Sequence, residues 1–194
     1  MGKIFFICGK SASGKDSIYS RLKDELDVKT IVLYTTRPMR TGETDGETYY
    51  FVDEKKLEEF NNSGKIIELR RYNTVYGVWK YFTAYDGQFD DKEQNYLVIG
   101  TLEALKGYVS YFGVHNVVPI YVEVPDGERL IRAINRENLE ENPKFEEICR
   151  RFLADGIDFS EENIKNAGIT KRYINMDFEK CLGEIEKDIM FAYN

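Results

Sequence analysis

Residues 9 to 15 read Gly-Lys-Ser-Ala-Ser-Gly-Lys and follow directly on the apolar run Ile4-Phe5-Phe6-Ile7-Cys8. A strand, a glycine-bearing loop and a lysine opening a helix are the arrangement that grips the phosphates of a nucleoside triphosphate. The turn formed by Gly9, Lys10, Ser11, Ala12, Ser13 and Gly14 can aim several backbone N–H groups inward as an anion nest at a helix N-terminus. Lys15 adds a mobile positive charge for the β- and γ-phosphates. Asp16 stands where the general pattern has a Ser or Thr to reach magnesium, and the hydroxyl comes one step later at Ser17. These residues point to phosphoryl chemistry; the competing reading is a glycine-rich turn that binds nothing.

A second constellation is Thr35-Thr36-Arg37-Pro38-Met39-Arg40, followed by Gly42-Glu43, Asp45-Gly46 and Tyr49. Two arginines three apart, with a proline stiffening the loop, can turn two guanidinium forks toward one phosphate, so an acceptor monophosphate is the natural ligand. Taken alone, the same arginines also read as solvated surface residues. A third set follows Val124: Arg129, Arg132, Arg136, Arg150 and Arg151. Phosphoryl transfer spreads negative charge over the moving group and needs positioned cations more than a covalent catalyst. Arg132, Arg136 and Arg151 are the candidates to close over that charge, with Arg150 next. Each can instead be a surface arginine paired with Glu128, Glu140 or Glu147.

The elements that must position these residues alternate. Ile4–Cys8 reads as a buried strand, and Ile18, Leu22 and Leu26 recur at a spacing of four, describing an amphipathic helix launched from the glycine loop. Thr30 to Leu33 is a second strand candidate, emptying at Tyr34 into a loop through Gly46. Tyr49–Val52 reads as a strand, Glu54–Asn61 as a helix ended near Gly64, and Lys65–Tyr72 and Val75–Tyr81 as strands. Then come a strand at Tyr96–Ile99, a helix from about Leu102 to Tyr111, and a strand at Val117–Val124. From Asp126 to about Asn166 the chain reads as two charged helices broken at Pro143. Tyr173–Asn175 is a last strand candidate, and Phe178, Cys181, Leu182, Ile185 and Ile189 mark a terminal amphipathic helix.

The expected fold is therefore α/β: a P-loop core with a parallel sheet flanked by helices, an inserted small αβ acceptor-binding lobe, and a helical lid. It is expected as a single domain over residues 1–194, with the core at 1–34, 91–125 and 167–194, the lobe at 35–90 and the lid at 126–166. Of the 194 residues, 31% are charged and 14% aromatic, which suits a folded chain rather than a disordered one. A net charge of −7 argues against general binding to nucleic acid or an anionic membrane surface, so a phosphate site must concentrate positive charge locally. Cys8, Cys149 and Cys181 form no CxxC pair, which suggests neither zinc nor a disulfide framework and fits a reduced, cytoplasmic setting. The first strand starts too early to leave room for a signal peptide, and no apolar run is long enough to span a bilayer.

Taken together, the glycine loop, the run Thr-Thr-Arg-Pro-x-Arg-x-Gly-Glu-x-Asp-Gly-x-x-Tyr, and then Glu68 and Tyr76-Gly77 resemble the guanylate kinase family. The resemblance runs through nearly the whole chain. It implies transfer of the γ-phosphoryl group of ATP to GMP, giving ADP and GDP, with Mg²⁺ held mostly by phosphates and water and touched by Ser17. It further implies that Gly9 to Ser17 hold ATP, with Asn175 near the adenine. Arg37, Arg40, Tyr49 and Tyr76 then hold the GMP phosphate, Thr36 and Thr101 belong to the GMP site, and Glu68 recognises the guanine edge. A carboxylate suits that edge because it accepts from N1–H and the exocyclic amine, a donor pair adenine lacks. Asp16-Ser17 fits nucleoside monophosphate kinases, which often place a non-hydroxyl residue directly after the lysine. The expected state is a monomer or homodimer.

The chain also departs from the family. Leu33 stands where Ser opens the family's Ser-x-Thr-Thr-Arg run, and Val78 and Trp79 replace small hydroxyl residues after Tyr76-Gly77. Ile99-Gly100-Thr101-Leu102-Glu103-Ala104 replaces an Asp-x-Asp-x-Gln-Gly signature. Trp79 reads either as an acceptor-site residue or as packing of the small lobe, and His115 as a loop residue. Two other readings stand beside the main one: a kinase of the same fold acting on a different nucleotide or small phosphorylated acceptor, and a non-catalytic guanylate kinase-like binding module.

Overall fold

The computed structural model describes residues 2–74 and 76–192. Its main sheet is parallel, in the order β2-β7-β1-β8-β9: β1 (Ile4–Cys8), β2 (Lys29–Thr30), β7 (Tyr96–Ile99), β8 (Val117–Glu123) and β9 (Arg172–Ile174). A strand alternates its side chains between faces, and β1 serves two cores. Ile4, Phe6 and Cys8 pack with Leu102, Leu105 and Tyr108 of α3 (Leu102–Phe112), while Phe5 and Ile7 pack with Ile18 and Leu22 of α1 (Lys15–Glu25) and Ile185 and Ile189 of α7 (Phe178–Ala192). All five β1 residues are buried, each large side chain contributing about 1.5–3 kcal/mol. A strand held this firmly gives the loop at its carboxyl end a rigid base, at the edge where ligands of open parallel sheets bind.

The second sheet runs β4-β3-β6-β5, with β3 (Tyr34–Thr35), β4 (Tyr50–Phe51), β5 (Ile66–Thr74) and β6 (Gly77–Ala84), and α2 (Glu54–Asn62) covers it. α3 joins this sheet to the core. A Cβ added at Gly107 would stand 2.5 Å from the Glu68 Cβ, so only glycine lets the helix lie this close to β5. The Tyr108 hydroxyl adds a hydrogen bond to Thr83 Oγ1 at 3.2 Å.

Three expectations require correction. The strand expected at Thr30–Leu33 stops at Thr30, because the Gln88 side chain takes both backbone groups of Val32: Val32 N–H donates to Gln88 Oε1 at 2.9 Å and Gln88 Nε2 to the Val32 carbonyl at 3.1 Å. Tyr34 and Thr35 are strand rather than loop, held by pairing to Phe82 and Tyr81, with the Tyr34 ring stacked 5.0 Å from that of Phe82. The segment after Val124 forms three helices, α4 (Asp126–Glu137), α5 (Phe145–Asp158) and α6 (Glu161–Asn166). Pro143 separates the first two, and the Ser160 side chain caps the third by accepting from Asn163 N–H. The strand expected from Val75 is seen as Gly77–Ala84; Val75, like Met1, Tyr193 and Asn194, lies outside the described residues. No helix among the described residues is long and apolar enough to cross a membrane.

Candidate active site

The glycine loop is shaped by two close approaches. A Cβ at Gly9 would run into the Val122 carbonyl oxygen on β8, and one at Gly14 into the Asn175 side-chain amide. Ala12 and Gly14 both have left-handed backbone, φ 60° and 83°, which turns successive N–H groups toward one side as an anion nest requires. Asn175 is buried; its backbone N–H donates to the Glu123 carbonyl, and its Nδ2 donates to the Ser13 carbonyl at 2.8 Å. It thus supports the loop. Among the described residues, Ser13 Oγ is one of two buried side-chain polar atoms with no hydrogen-bond partner. Lys15 is the first residue of α1, its Nζ 3.1 Å from Asp16 Oδ2, and Ser17 is exposed on the same turn.

Above the loop stands a cluster absent from the sequence reading. Arg129 of α4, only 2% exposed, donates through Nη1 to the Ser11 carbonyl at 2.8 Å and to Asp155 Oδ2 at 3.2 Å, and through Nη2 to Asp126 Oδ1 at 2.8 Å. Its guanidinium lies 4.9 Å from the Phe152 ring centre. Asp155 of α5 also accepts from Ser11 N–H at 2.7 Å, and Lys10 Nζ is 3.2 Å from Asp126 Oδ1. The hydrogen bond from Arg129, against the cost of burial, holds the Asp126 carboxyl below its usual range. α4 and α5 are thereby both tied to Ser11. The spacing of three between Asp126 and Arg129 on one helix face was the available signal.

The predicted lid arginines divide. Arg151 and Arg150 both pair with Glu147, at 2.7 Å through each Nε, and the bond from Arg150 leads in pulling that carboxyl down to about 2. Both line a large cleft that reaches Ser11. Arg136 and Arg151 line a smaller cavity, about 160 Å³, between α4 and α5. Arg132 is paired with Glu128 at 2.9 Å and lines neither.

On the acceptor side, the expected pair of open forks is not what forms. Arg37 is buried, with Nε on the Tyr81 hydroxyl at 3.1 Å, Nη1 on Glu43 Oε2 at 2.7 Å and on the Pro38 carbonyl, and Nη2 on Glu43 Oε1. Its bond to Glu43 drops that carboxyl to about 2. Arg40 is exposed and lies 5.9 Å over the Trp79 ring. Tyr76, 82% exposed, stacks on Trp79 at 6.1 Å. The Thr36 hydroxyl accepts from Lys80 N–H, and Thr101 caps α3 by accepting from Ala104 N–H. Trp79 is settled as a cleft residue, and His115 is an exposed loop residue whose carbonyl receives Lys3 Nζ.

Glu68 is placed by the structure beneath Arg70, a residue the sequence reading passed over although it lies two positions along the same strand face. Arg70 Nε donates to Glu68 Oε2 at 2.9 Å and Nη2 to Oε1 at 3.3 Å, while Thr83 Oγ1 donates to Oε1 at 2.9 Å. The side chains are 3% (Glu68) and 7% (Arg70) exposed. Burial works against the Arg70 charge, but the adjacent Glu68 carboxylate outweighs it and the guanidinium pKa is raised. Arg70 rather than Glu68 lines the cleft, whose volume is about 1090 Å³ and whose wall also includes Ser11, Tyr49, Trp79, Thr101 and Arg151.

Similarities to known proteins agree with this arrangement. The sequence model of the guanylate kinase family matches residues 1–81. A guanylate kinase of Thermotoga maritima is 29% identical over 153 residues, covering 75% of this chain and 73% of its own length. One from Nostoc sp. is 28% identical over 95% of this chain and 88% of its own, and one from Mycoplasma pneumoniae 26% over 100% and 77%. The crystal structure of a guanylate kinase from Anaplasma phagocytophilum superposes with a TM-score of 0.67 at 22% identity, covering 99% of this chain and 86% of that one, a likeness of fold. Glycine loop, Thr-Thr-Arg-Pro run and near full-length likeness converge on one conclusion: the chain is similar to the guanylate kinases in sequence and in fold.

Proposed function

We propose that the chain transfers the γ-phosphoryl group of ATP to GMP, giving ADP and GDP. The observation that carries this is the single cleft whose wall joins Ser11 of the glycine loop, Tyr49, Arg70 and Thr101 of the acceptor side, and Arg150 and Arg151 of α5. Two nucleotides meeting in one cleft need no protein nucleophile; in-line transfer asks for alignment and for cations over the charge that develops. Lys15 and the nest serve the donor phosphates, and Arg151, with Arg136 and Arg150, serves the transferring group. We divide the single domain into core (1–34, 91–125, 167–194), acceptor lobe (35–90) and lid (126–166). Each copy carries all three, so a monomer suffices, alone or within a homodimer, and free cytoplasmic nucleotides are the substrates.

Magnesium fits the donor end. The exposed Ser17 hydroxyl, beside Asp16, offers hard oxygen at the first turn of α1, and among the described residues no group of three or more His, Cys, Asp or Glu side chains makes a cage of its own. That suits a cation held mainly by phosphate oxygens and water, whose contribution when bound is to neutralise the polyphosphate.

Coupled detection of ADP release from ATP, with GMP, dGMP, AMP, UMP and CMP as acceptors, tests the reading. GMP is expected to support the fastest turnover; equal rates with all five would remove guanylate as the acceptor.

A further inference from the structure

A guanidinium has five N–H groups and no acceptor. Where such a group lines a base-binding cleft, the edge it meets must accept hydrogen bonds. Arg70 stands in that place, anchored from behind by Glu68 and reaching Thr101 Oγ1 at 3.5 Å through Nη1. Glu68 has both oxygens committed, to Arg70 and to Thr83, and α3 closes over it at Gly107.

We propose that Arg70 is the base-reading residue of this cleft and that the site takes 6-oxopurine nucleoside monophosphates as a class, inosine monophosphate as well as GMP. This rests on reading the cleft as the acceptor-nucleotide site. Guanine and hypoxanthine both present O6 and N7, the acceptor pair that arginine grips in bidentate fashion; adenine sets its 6-amino donor against the guanidinium. The two oxopurines differ only in the 2-amino group, which a guanidinium cannot bind. A carboxylate in the cleft wall would have read that group, and Glu68, 3% exposed behind Arg70, does not reach the wall.

The test compares kcat/KM for GMP, IMP and AMP in the intact enzyme and in Arg70→Ala and Arg70→Gln. The wild type should use IMP within about tenfold of GMP, since the unread amine forfeits no buried hydrogen bond, and should reject AMP. Arg70→Ala should release Glu68 to the base, raising the GMP-to-IMP ratio by about tenfold or more, in the range of one bidentate contact. Arg70→Gln, which keeps a donor and adds an acceptor, should admit AMP. Wild-type discrimination against IMP beyond a hundredfold overturns the proposal without any variant, as does an unchanged GMP-to-IMP ratio in Arg70→Ala. Failure of every nucleoside monophosphate, GMP included, would instead strike the reading of the cleft, and this proposal with it.

Discussion

The side-chain amide of Asn175 donates to the carbonyl oxygen of Ser13 at 2.8 Å and fills the space beside Gly14 that any Cβ would need. The last strand of the sheet and the glycine loop are therefore fitted as one piece, and the loop keeps its shape because a residue 162 positions away holds it. Asn175→Ala leaves the Ser13 carbonyl without its donor, at a cost of about 1–3 kcal/mol, and should raise KM for ATP more than KM for GMP. Asn175→Asp should be worse, since a carboxylate facing a carbonyl can only accept. Thermal unfolding together with the two KM values checks this; equal effects on both substrates would detach Asn175 from the donor loop.

Lys15→Ala should lower kcat by ~10²- to 10³-fold, the scale for removing one positioned charge from a phosphoryl or oxyanion transition state. Its ion pair to Asp16 is partly exposed and contributes at most about 1 kcal/mol, so the melting temperature should hardly move. Full turnover in the variant would refute the assigned donor site.

Arg129 binds Ser11, Asp126 and Asp155 while almost fully buried. Removing one partner of a buried pair costs roughly 3–5 kcal/mol, which for a chain of this size lowers the melting temperature on the order of 10 °C. Arg129→Met, which keeps the stem against Phe152 but not the charge, should fall nearly as far as Arg129→Ala. A scanning calorimetry trace matching wild type for either variant would contradict the role.

The Arg37–Glu43 pair predicts a pH signature. Glu43 is lowered from its ordinary value of 4.5 to about 2 by its bond to Arg37. A depressed carboxylate stabilises the fold above its unfolded pKa and loses that contribution as pH falls through the folded value. The melting-temperature gap between wild type and Glu43→Gln should thus be constant above about pH 5 and close between 4.5 and 2. A gap that persists at the acid end would show that the pair is not the source.

The donor half was legible in the sequence because its parts are contiguous: an apolar strand, two glycines and a lysine in a dozen residues report their own geometry. What escaped was made at long range. Nothing near Val32 announces that Gln88, 56 residues on, ends the strand there, and nothing near Ser11 announces Arg129, 118 residues on. The acceptor half was legible as residue types but not as pairings. Arg37 was found and its partner Glu43 quoted beside it, yet only the fold shows the two locked together. Arg70 lay within reach of the strand period; a second charge on the inward face of a buried strand must find a partner, and Glu68 was the nearest one.

The seam at Gly107 gives the second sheet an unusual exposure to distant change. α3 is capped by Thr101, on the cleft wall, and two turns later rests on the strand that carries Glu68 and Arg70. A single methyl group at position 107 would act as a wedge, levering the helix off the sheet and dragging the Glu68–Arg70 ion pair behind the cleft with it. Such a substitution touches no nucleotide, and it would be noticed first as an altered choice of acceptor.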